Sequence, residues 1–161
     1  MVSGRRVAPL YTPEQRRRRD ETRWTVVQGV LAPAQFLAFL VSVALIARAL
    51  VTGAGMTAAT VSIVVKTLFL YAIMVTGAIW EKRVFDRWLF APAFFWEDVF
   101  SMLVIALHTA YLVVLAKGWL SARGQLLLAL VAFATYAVNA TQFLLKLRAA
   151  RLQERRQEAL A

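Results

Sequence analysis

The sequence predicts an all-α integral membrane protein with four transmembrane helices and a short interfacial segment between the second and the third. Hydrophobic residues make up 60% of the 161-residue chain, well above the roughly 45–50% found in soluble domains, and the mean hydropathy is +0.61. The apolar residues form four blocks, each close to the ~20 residues that a helix needs to cross a bilayer. A single membrane domain, 1–161, is therefore expected.

The expected elements follow from these blocks and from the charged segments around them. The N-terminal tail is polar and lacks the apolar core of a signal peptide. Its arginine run at 16–19 is expected to lie against anionic lipid headgroups. In order, the expected elements are a basic cytoplasmic tail at 1–23, transmembrane helices at 26–50, 57–80, 98–117 and 124–146, and a charged, helix-prone cytoplasmic tail at 147–161.

The segment 81–97, between the second and third predicted helices, is rich in aromatic residues and contains the sequence LFAPAFFW. Aromatic side chains are enriched where a membrane meets water, so we expect this segment to lie in the interface or to re-enter it. Two roles stay open for it, membrane anchoring or one wall of a pocket for a flat, aromatic ligand.

The distribution of basic residues predicts the orientation in the membrane. Fifteen of the 19 Lys and Arg residues lie in the N-terminal tail, in the segment 81–97 or from Lys146 onward. By the positive-inside rule these regions face the cytoplasm, and both termini with them. The same distribution indicates that the net charge of +10 serves orientation and not nucleic-acid binding.

The composition argues against several kinds of site. The chain has no Cys and one His, which excludes disulfides and argues against a Cys/His zinc site or a bis-His haem. The sequence contains no glycine-rich phosphate-binding motif, and no Ser/His/Asp triad is legible.

Ionisable residues inside apolar blocks are costly and usually face the bundle interior or a cavity. His108 follows Asp98 by ten residues, which places it ~15 Å along a helix, near the middle of the membrane. Glu97 and His108 are close to three full turns apart, so they share a helix face with Ser101 and Val104. We interpret His108 either as a buried imidazole bonded to another helix, or as a metal ligand or proton acceptor.

Three acids, Glu81, Glu97 and Asp98, are predicted near the cytoplasmic interface. Burial and a neighbouring carboxylate both favour the protonated form of a carboxyl group, which general-acid chemistry requires. Pairing with the basic residues of the segment 81–97 is the alternative. Successive helical residues point about 100° apart, so one of Glu97 and Asp98 is expected to face a pocket and the other an arginine. The face shared with His108 favours Glu97 for the pocket.

Further polar residues lie within the blocks. Lys66 is too deep to reach the interface comfortably, and we interpret it as paired with a polar group or as the partner of a substrate carboxylate. Tyr136, Asn139 and Gln142 recur every three residues and indicate a polar stripe on the fourth helix. Hydrogen bonding between helices is the simpler interpretation of this stripe and of Tyr111.

Three stretches resemble one family: WTVVQGVLAPAQFLAFLVS, VVKTLFLYAIMVTGAIWEKRVF and LFAPAFFWEDVFSMLVIALHTAYLV. Over residues 13–145 the chain is similar to the 3-vinyl (bacterio)chlorophyllide hydratases, the BchF-type enzymes of bacteriochlorophyll biosynthesis. The resemblance implies a hydro-lyase that adds water to the 3-vinyl group of chlorophyllide a or bacteriochlorophyllide and gives the 3-(1-hydroxyethyl) derivative. It also implies a multi-pass protein of the inner, photosynthetic membrane of a bacterium.

Such a reaction needs an acid that protonates the vinyl group and a base that directs water. Glu97 is expected to be the acid, with Asp98 or Glu81 as the alternative. His108 is expected to be either the water-directing base or the axial ligand of the substrate's magnesium. No separate cofactor is expected, because the magnesium arrives with the substrate. Substrate contacts are expected from Lys66, Trp80, Phe95, Trp96, Tyr111 and Asn139.

The expected partners are the chlorophyllide or bacteriochlorophyllide substrate, the lipid bilayer, other enzymes of the pathway, and further copies of the chain in a homo-oligomer. No nucleic acid is expected. Two alternatives stay open, a non-enzymatic membrane protein that binds or transfers pigment, and a small proton-coupled transporter. The pigment carrier would need no acid, and the transporter would be expected to show an inverted repeat, which the sequence lacks.

Overall fold

A computed structural model describes residues 9–160 of the chain. Four of its helices are each long and apolar enough to cross a membrane, so the predicted all-α fold with four membrane helices is confirmed. Residues 1–8 of the predicted tail, and Ala161, lie outside the described residues. The described range forms five helices and no strand: α1 Pro13–Glu21, α2 Arg23–Thr52, α3 Met56–Phe85, α4 Phe95–Lys117 and α5 Ala122–Leu160.

The helices extend beyond the apolar blocks that predicted them. α2 already begins at Arg23, and α5 continues through the charged tail to Leu160. Glu, Gln and Arg are good helix formers, so a helix continues where hydropathy no longer marks it. The end of the tail predicted at 1–23 is helical too, because Thr12 and Gln15 form a capping box that starts α1.

The interfacial segment is shorter than the predicted 81–97. α3 and α4 extend into it from both sides, and only residues 86–94 lie outside the helices. We call this segment the 86–94 loop. Asp86 ends α3 with a φ of 61°, a left-handed conformation that Asp tolerates better than most residues. Glu81 therefore belongs to the end of α3, not to a loop.

The four long helices pair into two hairpins, α2 with α3 and α4 with α5, and the hairpins contact each other less extensively. Glycines in the left-handed region lie in both connections, Gly53 and Gly55 in the first and Gly118 in the second. The antiparallel order puts the start of α2, the end of α3, the start of α4 and the C-terminal part of α5 at one end of the bundle. We call it the loop end.

α1 packs across the loop end. Tyr11 is buried and stacks on Phe85 with ring centroids 5.8 Å apart. Arg19 lies over the Tyr11 ring and forms an ion pair with Glu154 of α5 at 2.9 Å. Every arginine of the run 16–19 pairs with an acid of the chain itself. Contact between this run and lipid headgroups stays a prediction, and these ion pairs would compete with it.

Candidate active site

Two buried carboxyl groups meet at the loop end, Glu81 from α3 and Asp98 from α4; we call them the acid pair. Glu81 is 5% exposed and Asp98 is 3% exposed. Their carboxyl groups lie close enough to act on each other electrostatically. Glu81 also accepts the Ala91 backbone N–H at 3.2 Å, and Asp98 accepts the Phe90 backbone N–H at 2.9 Å. The acid pair thus joins two helices and the loop between them.

The backbone at Phe90 shows how the loop is held against these acids. Phe90 has a φ of 59°, in the left-handed region that bulky residues rarely adopt. Such a conformation costs on the order of 1–3 kcal/mol and persists only where the surroundings enforce it. In this conformation the successive backbone N–H groups of Phe90 and Ala91 both donate to the acid pair.

Within residues 9–160, neither Glu81 nor Asp98 forms an ion pair with a Lys or Arg, although Lys146 of α5 is near enough to act on Asp98 electrostatically. The nearby Lys82 instead pairs with Asp86 at 2.7 Å, and this hydrogen bond lowers the pKa of Asp86. Two carboxyl groups held close together in a buried place avoid being ionised together. The acid pair is therefore a place where a transferable proton can be held.

Glu97 has a different partner. Its Oε2 lies 2.6 Å from Nζ of Lys146 on α5, and Lys146 also donates to the Ala93 carbonyl of the 86–94 loop. The expectation that one of Glu97 and Asp98 would face an arginine is wrong, because Glu97 meets a lysine and Asp98 meets Glu81. A single-helix projection could not show these partners, since both come from other helices.

In the middle of the bundle Lys66 of α3 contacts His108 of α4. Both side chains are 0% exposed, and Nζ of Lys66 lies 2.8 Å from Nε2 of His108. The other ring nitrogen, Nδ1, lies 2.7 Å from the Val104 carbonyl oxygen. Because that oxygen can only accept, Nδ1 carries the hydrogen and Nε2 accepts from Lys66. Lys66 also lies 3.8 Å from the centre of the Tyr136 ring on α5.

This arrangement bears on the roles predicted for both residues. A bond from His108 to magnesium would require Lys66 to leave Nε2, and contact of Lys66 with a substrate carboxylate would require a path into the buried interior. Both roles stay predictions. The observed contacts join α3, α4 and α5. They match the simpler interpretation of both residues from the sequence, in which each buried side chain pairs with a polar group of another helix.

The predicted polar stripe of α5 faces α4. Nδ2 of Asn139 donates to Oγ of Ser101 at 2.7 Å, and that hydroxyl donates to the Glu97 carbonyl oxygen at 2.8 Å. Glu97, Ser101, Val104 and His108 are all buried on α4, as their shared face predicted. Asn139 Oδ1 and Gln142 Oε1 are buried and receive no hydrogen bond from any residue that the structure describes.

The aromatic residues predicted to form one wall have separate environments. Trp80 is half-buried, donates to Oγ1 of Thr25 at 2.9 Å, and packs edge-on against Phe94 inside the protein. Phe95 and Trp96 are exposed at the start of α4, Trp96 by 72%. These two, with Trp88 and Phe90 of the 86–94 loop, which are 62% and 37% exposed, can offer a face to a ligand that enters from the membrane.

Tyr111 is buried in the core of the other half of the bundle. It follows Asp98 by thirteen residues, which is ~20 Å along α4, so the structure does not bring it to the acid pair. Sequence reasoning also missed one residue of the site, Lys146. It was counted only as an orientation charge, although its spacing of four from Gln142 places it on the polar face of α5.

The site is suited to proton transfer at the edge of the membrane. It combines two buried carboxyl groups close together, exposed aromatic side chains, and the buried amide of Asn139, whose partner Ser101 follows Asp98 by three residues. The described part of the chain has no group of three or more His, Asp or Glu residues that could hold a metal ion.

Comparison with known proteins gives one consistent result. A family model described as 2-vinyl bacteriochlorophyllide hydratase matches residues 11–149. A Rhodobacter capsulatus protein of that name is 63% identical over 150 residues, which cover 93% of this chain and 87% of the relative. A Cereibacter sphaeroides protein of that name is 65% identical over 144 residues, 89% of each chain. No solved structure matches the chain.

Proposed function

Since the chain belongs to the 2-vinyl bacteriochlorophyllide hydratase family and is a hydratase of bacteriochlorophyll synthesis, we propose that the acid pair, Glu81 and Asp98, protonates the vinyl group of its substrate. The 2-vinyl group of the family description is the 3-vinyl group in the newer numbering of the macrocycle. The substrate is a bacteriochlorophyllide or a chlorophyllide, the product carries a 1-hydroxyethyl group, and the pigment-carrier and transporter alternatives lose their support.

The chemistry explains why a shared proton is useful. A vinyl group conjugated to a macrocycle takes up a proton at its terminal carbon, where the π electrons form the new C–H bond. The positive charge left on the inner carbon is spread over the ring. Water then forms a C–O bond at that carbon and gives up one proton, which returns to the carboxylate of the acid pair. The sum is the addition of one water, with the acid regenerated.

One observation carries this assignment: two buried carboxyl groups are held close together by the successive backbone N–H groups of Phe90 and Ala91, and no Lys or Arg of residues 9–160 forms an ion pair with either. Glu97, which the sequence favoured, forms an ion pair with Lys146 at 2.6 Å, the arrangement of an ionised carboxylate and not of a proton donor. The alternatives named from the sequence, Asp98 and Glu81, therefore become the proposed acids.

We place the macrocycle against the exposed rings of Phe90, Phe95 and Trp96, which surround the start of α4. Stacking on such rings suits a flat, conjugated ligand. The substrate's propionate is placed toward Arg83 at the end of α3 and Arg87 in the 86–94 loop, both of which are exposed, because an anion is repelled by the carboxyl groups and attracted by guanidinium groups.

The proposal needs no separate cofactor, because the substrate carries its own magnesium. The family and the four apolar helices indicate a multi-pass membrane protein of a photosynthetic bacterium. We further propose that the loop end faces the cytoplasm, which the basic residues concentrated there support. Contacts with other enzymes of the pathway and with further copies of the chain stay predictions.

An anaerobic incubation tests the function. Membranes that contain the protein are mixed with chlorophyllide a or with 3-vinyl bacteriochlorophyllide a, and membranes without the protein serve as the control. We expect a blue shift of the red absorption band and a mass gain of one water, because loss of the vinyl group shortens the conjugation. Pigment that binds but keeps its mass with both substrates would contradict the hydratase.

A further inference from the structure

A hydratase has two substrates, and the second is water. We propose that the amide oxygens of Asn139 and Gln142 on α5 form the site that binds and orients the water molecule added to the vinyl group. This inference rests on the proposed function and extends it to the other reactant.

The hydrogen bonds on α4 fix the direction of the Asn139 amide. Ser101 gives its only hydrogen to the Glu97 carbonyl oxygen, so its Oγ can only accept from a neighbour. Asn139 must therefore turn its NH₂ group toward Ser101. Its Oδ1 is thereby directed away from Ser101, and it has no donor among the described residues.

The Gln142 amide presents a second acceptor of the same kind. Its Oε1 is buried and likewise lacks a donor within residues 9–160. Side chains three residues apart on a helix are neighbours, with Cβ atoms about 5–6 Å from each other. A buried acceptor without a donor costs about 1–3 kcal/mol, and two neighbouring ones are a strong indication of a bound donor. Water supplies two hydrogens and fits such polar sites.

Two acceptors orient a water molecule in a way that suits nucleophilic attack. When both hydrogens point to amide oxygens, the lone pairs of the water oxygen point away from them. A site with N–H donors would do the opposite and occupy the lone pairs. Asn139 and Gln142 would therefore present the electron-rich side of the water to the cation, which is the side that forms the C–O bond.

The position of the proposed water site relative to the acid pair also fits the reaction. Ser101, the partner of Asn139, follows Asp98 by three residues, about 4.5 Å along α4. The proton donor and the water must reach two bonded carbons of one vinyl group, so a separation of about one turn is appropriate. After attack, the oxonium group on the inner carbon turns about the new C–O bond, so that one of its two hydrogens leaves an amide oxygen and passes as a proton to the carboxylate left on the acid pair.

The test separates protonation from water capture. The protein in its membranes is incubated in D₂O with the vinyl pigment, and at early times the product is measured together with deuterium in the remaining vinyl group. A cation that forms but is not captured loses a proton from its terminal carbon, so deuterium enters the vinyl group without hydration. Exchange thus reports the acid, and product reports the water site.

Gln142→Leu is expected to form product about 100-fold more slowly, the loss typical of a misplaced reactant, while exchange into the vinyl group continues. Gln142→Glu keeps an acceptor oxygen and is expected to keep most of the product rate. Thr141→Val is the matched control, because Thr141 is exposed on α5 and its hydroxyl donates only to the Ala137 carbonyl of its own helix.

Two results would overturn the water site: Gln142→Leu forming product at the wild-type rate, or exchange and product falling together in that variant. A wild-type protein that neither hydrates nor exchanges the pigment would instead contradict the proposed function itself. Exchange that persists in Gln142→Leu also shows that the variant is folded and binds the pigment.

Discussion

Asp98→Asn and Glu81→Gln are each expected to lower the rate of hydration by about 10²–10⁴-fold, the usual contribution of a general acid. An amide has no proton to transfer at neutral pH. It does keep an oxygen that can accept the Phe90 or the Ala91 backbone N–H, so the 86–94 loop should stay in place. Pigment binding should therefore be retained in both variants. Product formation and pigment binding in membranes measure the two effects separately.

Glu97→Gln is the matched comparison for these variants. The glutamine oxygen can still accept from Lys146, and Glu97 is outside the acid pair. We expect a much smaller loss of rate than for Asp98→Asn. The assignment would be wrong if Glu97→Gln abolished hydration while Asp98→Asn and Glu81→Gln kept it, and the acid favoured by the sequence would then be the proton donor.

His108→Leu is expected to have the largest effect on stability. The variant removes the acceptor of the Lys66 side-chain nitrogen, and Lys66 is 0% exposed. Leaving a buried donor without its acceptor costs about 1–3 kcal/mol, and more where the donor is charged. The aromatic rings of Tyr136 and Phe133, whose centres lie 3.8 Å and 5.1 Å from Nζ, would remain beside it. The yield of folded protein in detergent and its thermal unfolding should both fall.

The double variant His108→Leu with Lys66→Met tests this explanation. Removing both partners leaves an apolar pair of similar size, which is often as stable as the buried polar pair it replaces. We therefore expect the second substitution to restore most of the stability lost in the first, as a double-mutant cycle measures it. Equal instability of the single and double variants would show that the contact does not hold the helices together.

The fold class was predictable because it depends on local sequence. The four apolar blocks are long enough to identify four membrane helices without knowledge of their neighbours. The ends of the helices were less predictable, since α3 and α5 continue through charged residues that hydropathy treats as loops. The burial of Glu97, Ser101, Val104 and His108 was also predictable from the sequence of α4 alone. The helical repeat is enough to show that these four residues share a face.

The partners of these residues were not predictable in the same way. The contact between Lys66 and His108 joins residues 42 positions apart, and the contact between Glu81 and Asp98 depends on the path of the 86–94 loop. No helical period contains this information. The orientation of Trp80 was not predictable for the same reason, because the sequence shows its aromatic character but not that it packs inward against Phe94. Its contact with substrate stays a prediction.

The central claim is that Glu81 and Asp98 share a proton that the enzyme can transfer. The infrared spectrum of the purified protein at neutral pH tests it most directly, since a protonated carboxylic acid has a carbonyl stretching band that a carboxylate lacks. We predict such a band in the wild type and in Glu97→Gln, and its loss in both Asp98→Asn and Glu81→Gln. Absence of the band from the wild type, or its loss only in Glu97→Gln, would contradict the account.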